Sequence, residues 1–189
     1  MITTRGFAVL FLLLLLLPAS RASAPPICSV ATIAGIPHEE GNASGPALQA
    51  TFYVPFAGVL HPTSGVLAIS DQVGMTVRTF DADAPGGASV ATIAGSGSTR
   101  PQEKNGPALL GTFHGPRGLC YDPSGDVLYI LDGTNRVVRA LEAGQLRTAS
   151  GDGTRGAGPN SWATPNGCAW DAARSALLVT DSNACMVRS

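Results

Sequence analysis

The apolar positions of this chain fall into short runs between tight turns. The segment 116–139, PRGLCYDPSGDVLYILDGTNRVVR, predicts strands at 118–121, 127–131 and 136–141. Pro, Gly, Asp and Asn between these runs are typical of turns, because Pro presets φ, Gly allows positive φ, and Asp or Asn hydrogen-bonds nearby backbone. The middle run, VLYIL, is apolar at every position. A half-exposed strand would alternate, so we expect this one to be covered on both faces.

The same pattern occurs three times. The copies begin at Pro55, Pro116 and Pro165, with the second 61 residues after the first and the third 49 residues after the second. An Asp and an Arg keep the same spacing in each copy: Asp71, Asp132 and Asp181, and Arg78, Arg139 and Arg188. A repeat with this constant register predicts one structural unit used three times.

A further strand and a loop motif complete each unit. The run VATIAG at 30–35 returns at 90–95 and, in altered form, at 146–151. It predicts a first strand, so that each unit has four. The loops that follow carry GPAL at 45–48 and 106–109. An aromatic residue stands three positions before each Pro: Phe52, Phe113 and Trp162. We expect these aromatic side chains to pin the loops between neighbouring sheets.

Repeated four-stranded antiparallel units of this length predict an all-β fold, a β-propeller segment of three blades over residues 30–189. The expected units are about 30–80, 90–141 and 146–189. The chain resembles the NHL-repeat propellers in three motifs: V-x-T-I-A-G, GPAL with Phe, and VLYILD with V-x-R. The third unit departs, with TASG at 148–151 and only Gly158-Pro159 of the loop motif.

Three blades cannot close a ring, and the resemblance implies about six. Three interpretations stay open: a fragment of a longer protein, a half-ring that forms a homodimer with six blades, or an open arc. The order of strands along the repeat makes the VATIAG strand the outermost strand of a blade. Unprotected edges and apolar faces would favour aggregation.

The N-terminus predicts a signal peptide at residues 1–22. Arg5 precedes an apolar run at 7–17, which Pro18 ends and small residues follow. The run is too short to span a bilayer. We expect cleavage after Ala22, a leader at 23–29, and secretion or residence in the secretory lumen. An uncleaved signal anchor is the alternative.

Secretion makes cysteines and one Asn candidates for modification. The four cysteines, Cys28, Cys120, Cys168 and Cys185, allow three pairings. Alternatively, Cys120 and Cys168 are small buried side chains. Asn42-Ala43-Ser44 is a candidate glycosylation site in a polar loop.

Composition argues against several ligands. Only 13% of residues are charged and the net charge is −1, which gives no electrostatic case for nucleic acid or an anionic membrane. The GxGxxG at 151–156 is followed by Gly158-Pro159 and no helical pattern, so no dinucleotide cofactor is expected. The histidines lack zinc-site spacing: His61 takes a turn position, His38 is in a loop, and only His114 could face a channel. No metal is predicted.

The recurring Asp and Arg residues are expected to be structural. Each Asp heads a tight turn, where it can accept hydrogen bonds from backbone N–H groups. Each Arg is on a third strand, where we expect it to pack or pair on a blade surface. Neither set predicts catalytic residues.

The loops 36–51, 96–112 and 152–161 are the candidate ligand-binding face, because function commonly lies in loops on a rigid scaffold. Their candidate residues are His38, Glu39, Glu40, Arg100, Glu103, Lys104, Asp152 and Arg155. The simpler interpretation is that these are ordinary solvated loops.

The favoured function is a protein- or glycan-binding scaffold without catalysis. The alternative is a fragment of a propeller enzyme, since the family resemblance includes secreted amidating lyases with zinc-binding channel histidines. The chain offers too few histidines for that site. An RNA-binding module, as in some intracellular relatives, would need a basic face.

Overall fold

A computed structural model describes residues 30–98 and 104–189. The predicted signal peptide 1–22 and leader 23–29 lie outside the described residues, as do Cys28, Arg100 and Glu103. The compact unit discussed below is Thr32–Ser189.

Antiparallel strands form three sheets in this unit, so the all-β prediction is confirmed. The first sheet has the order β1-β5-β4-β3-β2, with β1 Gly45–Pro46, β2 Pro55–Leu60, β3 Leu67–Asp71, β4 Thr76–Asp81 and β5 Ser89–Ala94. The second has the order β6-β10-β9-β8-β7, with β6 Gly106–Pro107, β7 Pro116–Tyr121, β8 Val127–Asp132, β9 Val137–Glu142 and β10 Gln145–Ser150. The third has the order β11-β12-β13, with β11 Pro165–Asp171, β12 Ala176–Asp181 and β13 Met186–Arg188.

The prediction of four strands in every sheet was wrong. The described residues give sheets of five, five and three strands, and these sheets do not close into a ring. The extra strands are the GP dipeptides of the loop motif, which pair with the start of β5 and of β10. Each GP strand is followed by a 3₁₀ turn, Ala47–Gln49 or Ala108–Leu110.

Two of the three VATIAG runs pair with the sheet of the preceding repeat and not with the strands that follow them. Residues 90–94 of the second copy lie in β5, which pairs with β4 of the preceding repeat. Residues 30–35 carry the same letters but form no strand. A backbone needs a neighbouring strand edge for a ladder, and the described residues place none beside 30–35.

The middle strand β8 is covered on both faces, which confirms that prediction. Leu128 and Ile130 belong to the core between the first and second sheets. Leu131 belongs to the core between the second and third sheets, with Tyr129 packed against it. Successive side chains of a strand point to opposite faces, so an all-apolar strand fits a sheet packed on both sides.

Two of the three aromatic residues that precede each Pro fill these interfaces as predicted. Phe113 is buried between the first and second sheets, and Trp162 between the second and third. Phe52 is only half-buried, because the described residues provide the first sheet with a neighbour on one face only.

A disulfide joins the second and third sheets. Cys120 on β7 is bonded to Cys168 on β11, across 48 residues of sequence. This is one of the cysteine pairings that the sequence left open. It excludes the alternative that Cys120 and Cys168 are unbonded buried thiols. Cys185 is a free, exposed thiol.

Candidate functional site

The long loops and the β–β turns of each repeat meet at one end of the sheets, which we call the loop face. It comprises the described parts of loops 36–51, 96–112 and 152–161 and the turns 72–75, 133–136 and 182–185. Hydrogen bonds tie loops to turns: Asn42 Nδ2 donates to the Gly74 carbonyl, and the Arg136 guanidinium donates to the Gly153 carbonyl.

The recurring Asp side chains hold the loop ends, which confirms their predicted structural role. The Asp71 carboxylate accepts hydrogen bonds from the backbone N–H groups of Tyr53 (2.9 Å), Val54 (2.8 Å) and Gly74 (3.2 Å). Asp181 does the same for two residues before Pro165. All three Asp residues are fully buried, so their oxygens are used within the fold and do not face a ligand.

The recurring Arg side chains complete this support. Arg78 donates to the carbonyls of Thr51 (3.1 Å) and Ala43 (2.8 Å), and its guanidinium lies 5.3 Å from the centre of the Phe52 ring. Arg139 and Arg188 repeat the arrangement over Phe113 and Trp162. The prediction of packing on a blade surface was wrong in one respect, because Arg78 and Arg139 are fully buried.

Burial also changes the electrostatics of this support. Desolvation lowers the pKa of the Arg78 guanidinium, and the nearby Asp71 carboxylate opposes that change. In the second repeat, Arg139 lies 3.7 Å from the Asp132 carboxylate, with both side chains fully buried. A guanidinium suits this place, since its planar fork can donate in several directions while remaining charged.

A cleft of about 610 Å³ opens on the loop face beside the first sheet. Three of the predicted binding residues, His38, Glu39 and Glu40, line it and are exposed. Its other walls include Thr32, Ala34, Pro37, Phe52 and Tyr53. The cleft therefore combines two carboxylates, an imidazole and two aromatic rings.

The other described candidates do not line this cleft. The Lys104 carbonyl accepts a hydrogen bond from Arg139, and its side chain is exposed. The Asp152 carboxylate accepts hydrogen bonds from the Thr154 hydroxyl and backbone N–H, and these hydrogen bonds lower the pKa of Asp152. Arg155 is exposed on the same loop. Arg100 and Glu103 lie outside the described residues.

Asn42 lies in an exposed part of the loop, but its side chain has a structural contact. Its Nδ2 donates to the Gly74 carbonyl at 3.2 Å, and the Ser44 hydroxyl accepts from Arg78 at 3.2 Å. A glycan would attach to the same Nδ2, so the hydrogen bond to Gly74 would constrain the direction in which that glycan projects.

Sequence reasoning missed the aromatic contribution of Tyr53 to the cleft. Its side chain is 40% exposed beside half-buried Phe52. The signal in the sequence is the aromatic pair Phe52-Tyr53 shortly before Pro55.

The histidines have separate surroundings. The His61 ring Nδ1 accepts from the backbone N–H groups of Thr63 and Ser64, much as Asp122 does in the next repeat. His114 is half-buried, and its backbone N–H donates to Asp132. Over residues 30–98 and 104–189, no three His, Cys, Asp or Glu side chains group as metal ligands. The GxGxxG at 151–156 lies in an irregular loop.

Comparison with known proteins gives a fold and no family. No family model matches the chain, and no curated protein is significantly similar to it. An auxiliary nutrient binding protein from Bacteroides thetaiotaomicron matches with a TM-score of 0.58 and 18% identity, over 75% of this chain and 38% of that one. An auxiliary nutrient binding protein from Bacteroides ovatus matches with a TM-score of 0.57 and 18% identity, over 76% and 41%.

A protein of unknown function from Bacteroides thetaiotaomicron also matches, with a TM-score of 0.60 and 18% identity. That match covers 69% of this chain and 33% of the other. The chain thus spans roughly a third to two fifths of the length of these solved structures. In the part of the chain that the structure describes, no helix is long and apolar enough to cross a membrane.

Proposed function

We propose that the chain is a segment of an NHL-type β-propeller, secreted or resident in the secretory lumen, that binds a glycan on its loop face. The observation that carries the proposal is the cleft, which brings His38, Glu39 and Glu40 together beside Tyr53. Carboxylates and imidazole can hydrogen-bond sugar hydroxyls, and an aromatic ring can cover the apolar face of a sugar. A few polar groups in a partly apolar cleft are typical of small-ligand sites.

Other observations support a binding scaffold. The buried Asp and Arg side chains fix the loop ends, so a ligand would meet a surface that is ordered before binding. Preorganisation reduces the entropy lost on association. The nutrient-binding proteins of similar fold favour the same class of function. The Cys120–Cys168 disulfide is compatible with secretion, and we propose that Asn42 carries a glycan.

Calorimetric titration with a panel of neutral and acidic oligosaccharides tests the proposal. We expect at least one saccharide to bind, and Tyr53→Ala to weaken its affinity about tenfold or more through loss of ring contact. The pair Glu39→Gln and Glu40→Gln should weaken binding as well, through loss of charged acceptors.

Asp126→Asn is the matched control. Asp126 is exposed in the turn between β7 and β8, at the end of the sheets away from the loop face, so affinity should not change. Absence of binding to every saccharide, or equal weakening by the Tyr53 and Asp126 variants, would contradict the proposal. Binding to a protein and to no saccharide would replace the glycan with a protein ligand.

A further inference from the structure

The two outer sheets each leave part of a repeated interface unused among the described residues. In the third sheet, β13 pairs with β12 on one side only. Its side chains Met186 and Val187 are 45% and 70% exposed. The equivalent residue to Val187 is Val138 in the second repeat and Val77 in the first, and both are buried. Val187 therefore occupies a position that is buried in the other two repeats, but no described residue covers it.

The first sheet has the complementary unused face. In the second repeat, Phe113 and Ile130 face the first sheet and are buried. Their equivalents in the first repeat, Phe52 and Ile69, are only half-buried. The residues that pack on Phe113 and Ile130 include Val77, which is the counterpart of Val187. Val187 on the exposed face of the third sheet is therefore the same kind of side chain that packs, inside the chain, on the counterparts of Phe52 and Ile69.

The segment 30–34 has the sequence of the strand that pairs at the equivalent edge in the first repeat. Its letters, VATIA, are those of 90–94, which pair with β4. In that pairing Ala94 is opposite Val77 and Thr92 is opposite Arg78, with Ile93 at an irregularity. The second repeat uses the same register, with Ser150 opposite Val138 and Thr148 opposite Arg139.

We propose that two copies of this chain associate through exchanged strands, with 30–34 of each copy added to β13 of the other. The repeated register places Ala34 of one copy opposite Val187 of its mate, and Thr32 opposite Arg188. The same association packs the third sheet of one copy on the first sheet of the other, and it buries Phe52 and Val187 together. Because both ends are used alike, two copies complete a ring of six sheets.

This association does not depend on glycan binding, but it changes the walls of the cleft, because Thr32 and Ala34 line the cleft and would pair with β13 of the second copy. The polar residues His38, Glu39 and Glu40 lie outside the exchanged segment. At the interface between the first and second sheets, Phe113 is buried while the next residue, His114, stays half-exposed. By the same geometry, a second copy would cover Phe52 on the floor of the cleft and leave Tyr53 at its rim.

Disulfide trapping tests the register. Ala34→Cys with Val187→Cys, in the full chain carrying Cys28→Ser and Cys185→Ser, should give a covalent dimer on a non-reducing gel that reductant returns to single chains. Directly opposed residues of antiparallel strands lie within disulfide range. Thr32→Cys with Val187→Cys is the control, since the register places Thr32 opposite Arg188, and successive side chains of a strand point to opposite faces. Light scattering of the unmodified chain should give twice the mass of one chain.

Trapping of the Ala34 pair with little trapping of the Thr32 pair would support the proposal. A monomer by light scattering would overturn it. Equal trapping of both pairs, or a disulfide formed within one chain, would overturn it also. Circular dichroism and thermal unfolding of both variants establish that each is folded, so failure to trap counts against the proposed register.

Discussion

At the residue scale, the Asp132–Arg139 pair shows how this chain uses charge inside its core. Both side chains are fully buried, and Arg139 also donates to the carbonyls of Thr112 and Lys104 at 3.0 Å each. Burial of a charge costs free energy unless hydrogen bonds and an opposite charge replace water. The pair therefore stabilises the loop only while both members are present.

We expect Asp132→Asn to lower the free energy of unfolding by about 3–5 kcal/mol, because it leaves the Arg139 charge buried without its carboxylate. Arg139→Met should cost a similar amount. The double variant should cost less than the sum of the two, since no buried charge then remains. Urea unfolding of the three variants measures these differences.

Glu142→Gln is the matched control for a charge pair in the same sheet. Glu142 pairs with Arg147 at 3.4 Å, but both side chains are about half exposed. Its loss should cost under about 1 kcal/mol. A comparable loss for Asp132→Asn and Glu142→Gln would show that burial does not set the strength of the Asp132–Arg139 pair.

At the element scale, the Gly that closes the second and third VATIAG runs lets two backbones approach. Gly95 has a φ of +91°, and a Cβ there would lie 2.4 Å from the Met75 carbonyl oxygen. Its counterpart Gly151 has a φ of +100° and a similar obstruction from Arg136. The end of β5 therefore needs glycine both for its backbone conformation and for the space beside the preceding turn.

Gly95→Ala should lower the free energy of unfolding by more than about 2 kcal/mol, because positive φ and a steric clash act together. Gly144→Ala isolates the first effect, since Gly144 has a φ of +73° with nothing within 4 Å of a Cβ. That control should cost about 1 kcal/mol. Chemical denaturation of both variants gives the comparison, and equal losses would argue against close approach at Gly95.

At the scale of the whole molecule, the Cys120–Cys168 disulfide joins two sheets that otherwise meet through a small core. The buried members of that core are Leu131, Val138, Trp162 and Val179. The third sheet has only three strands among the described residues. A covalent link between β7 and β11 therefore contributes more here than it would between the larger first and second sheets.

Replacing both Cys120 and Cys168 by Ala should lower the free energy of unfolding by about 2–4 kcal/mol, because the bond closes a loop of 48 residues and restricts the unfolded chain. Hydrogen exchange should increase most in β11–β13. Cys185→Ala, at an exposed free thiol, should change neither measurement. If the variant without Cys120 and Cys168 and the unmodified protein unfold alike, the disulfide has no stabilising role.

The fold was more predictable than the site. The spacing of Pro55, Asp71 and Arg78 and of their repeats predicted three antiparallel units, and the turn role of Asp71 followed from the chemistry of tight turns. The role of Arg78 was harder, since its acceptors are carbonyls 27 and 35 residues away. His38, Glu39 and Glu40 were named as candidates, but only the cleft brings them beside Tyr53.

The sequence by itself determined the elements: all-apolar runs of strand length, turns at Pro, Gly, Asp and Asn, and a repeat that keeps its register. These depend on neighbours along the chain, so local chemistry suffices to predict them. Tertiary structure alone decided that β5 joins the sheet before it, that Cys120 bonds to Cys168, and that the recurring Arg side chains are buried. Those outcomes depend on which groups meet in space, and strand pairing and burial bring together residues that the sequence keeps far apart.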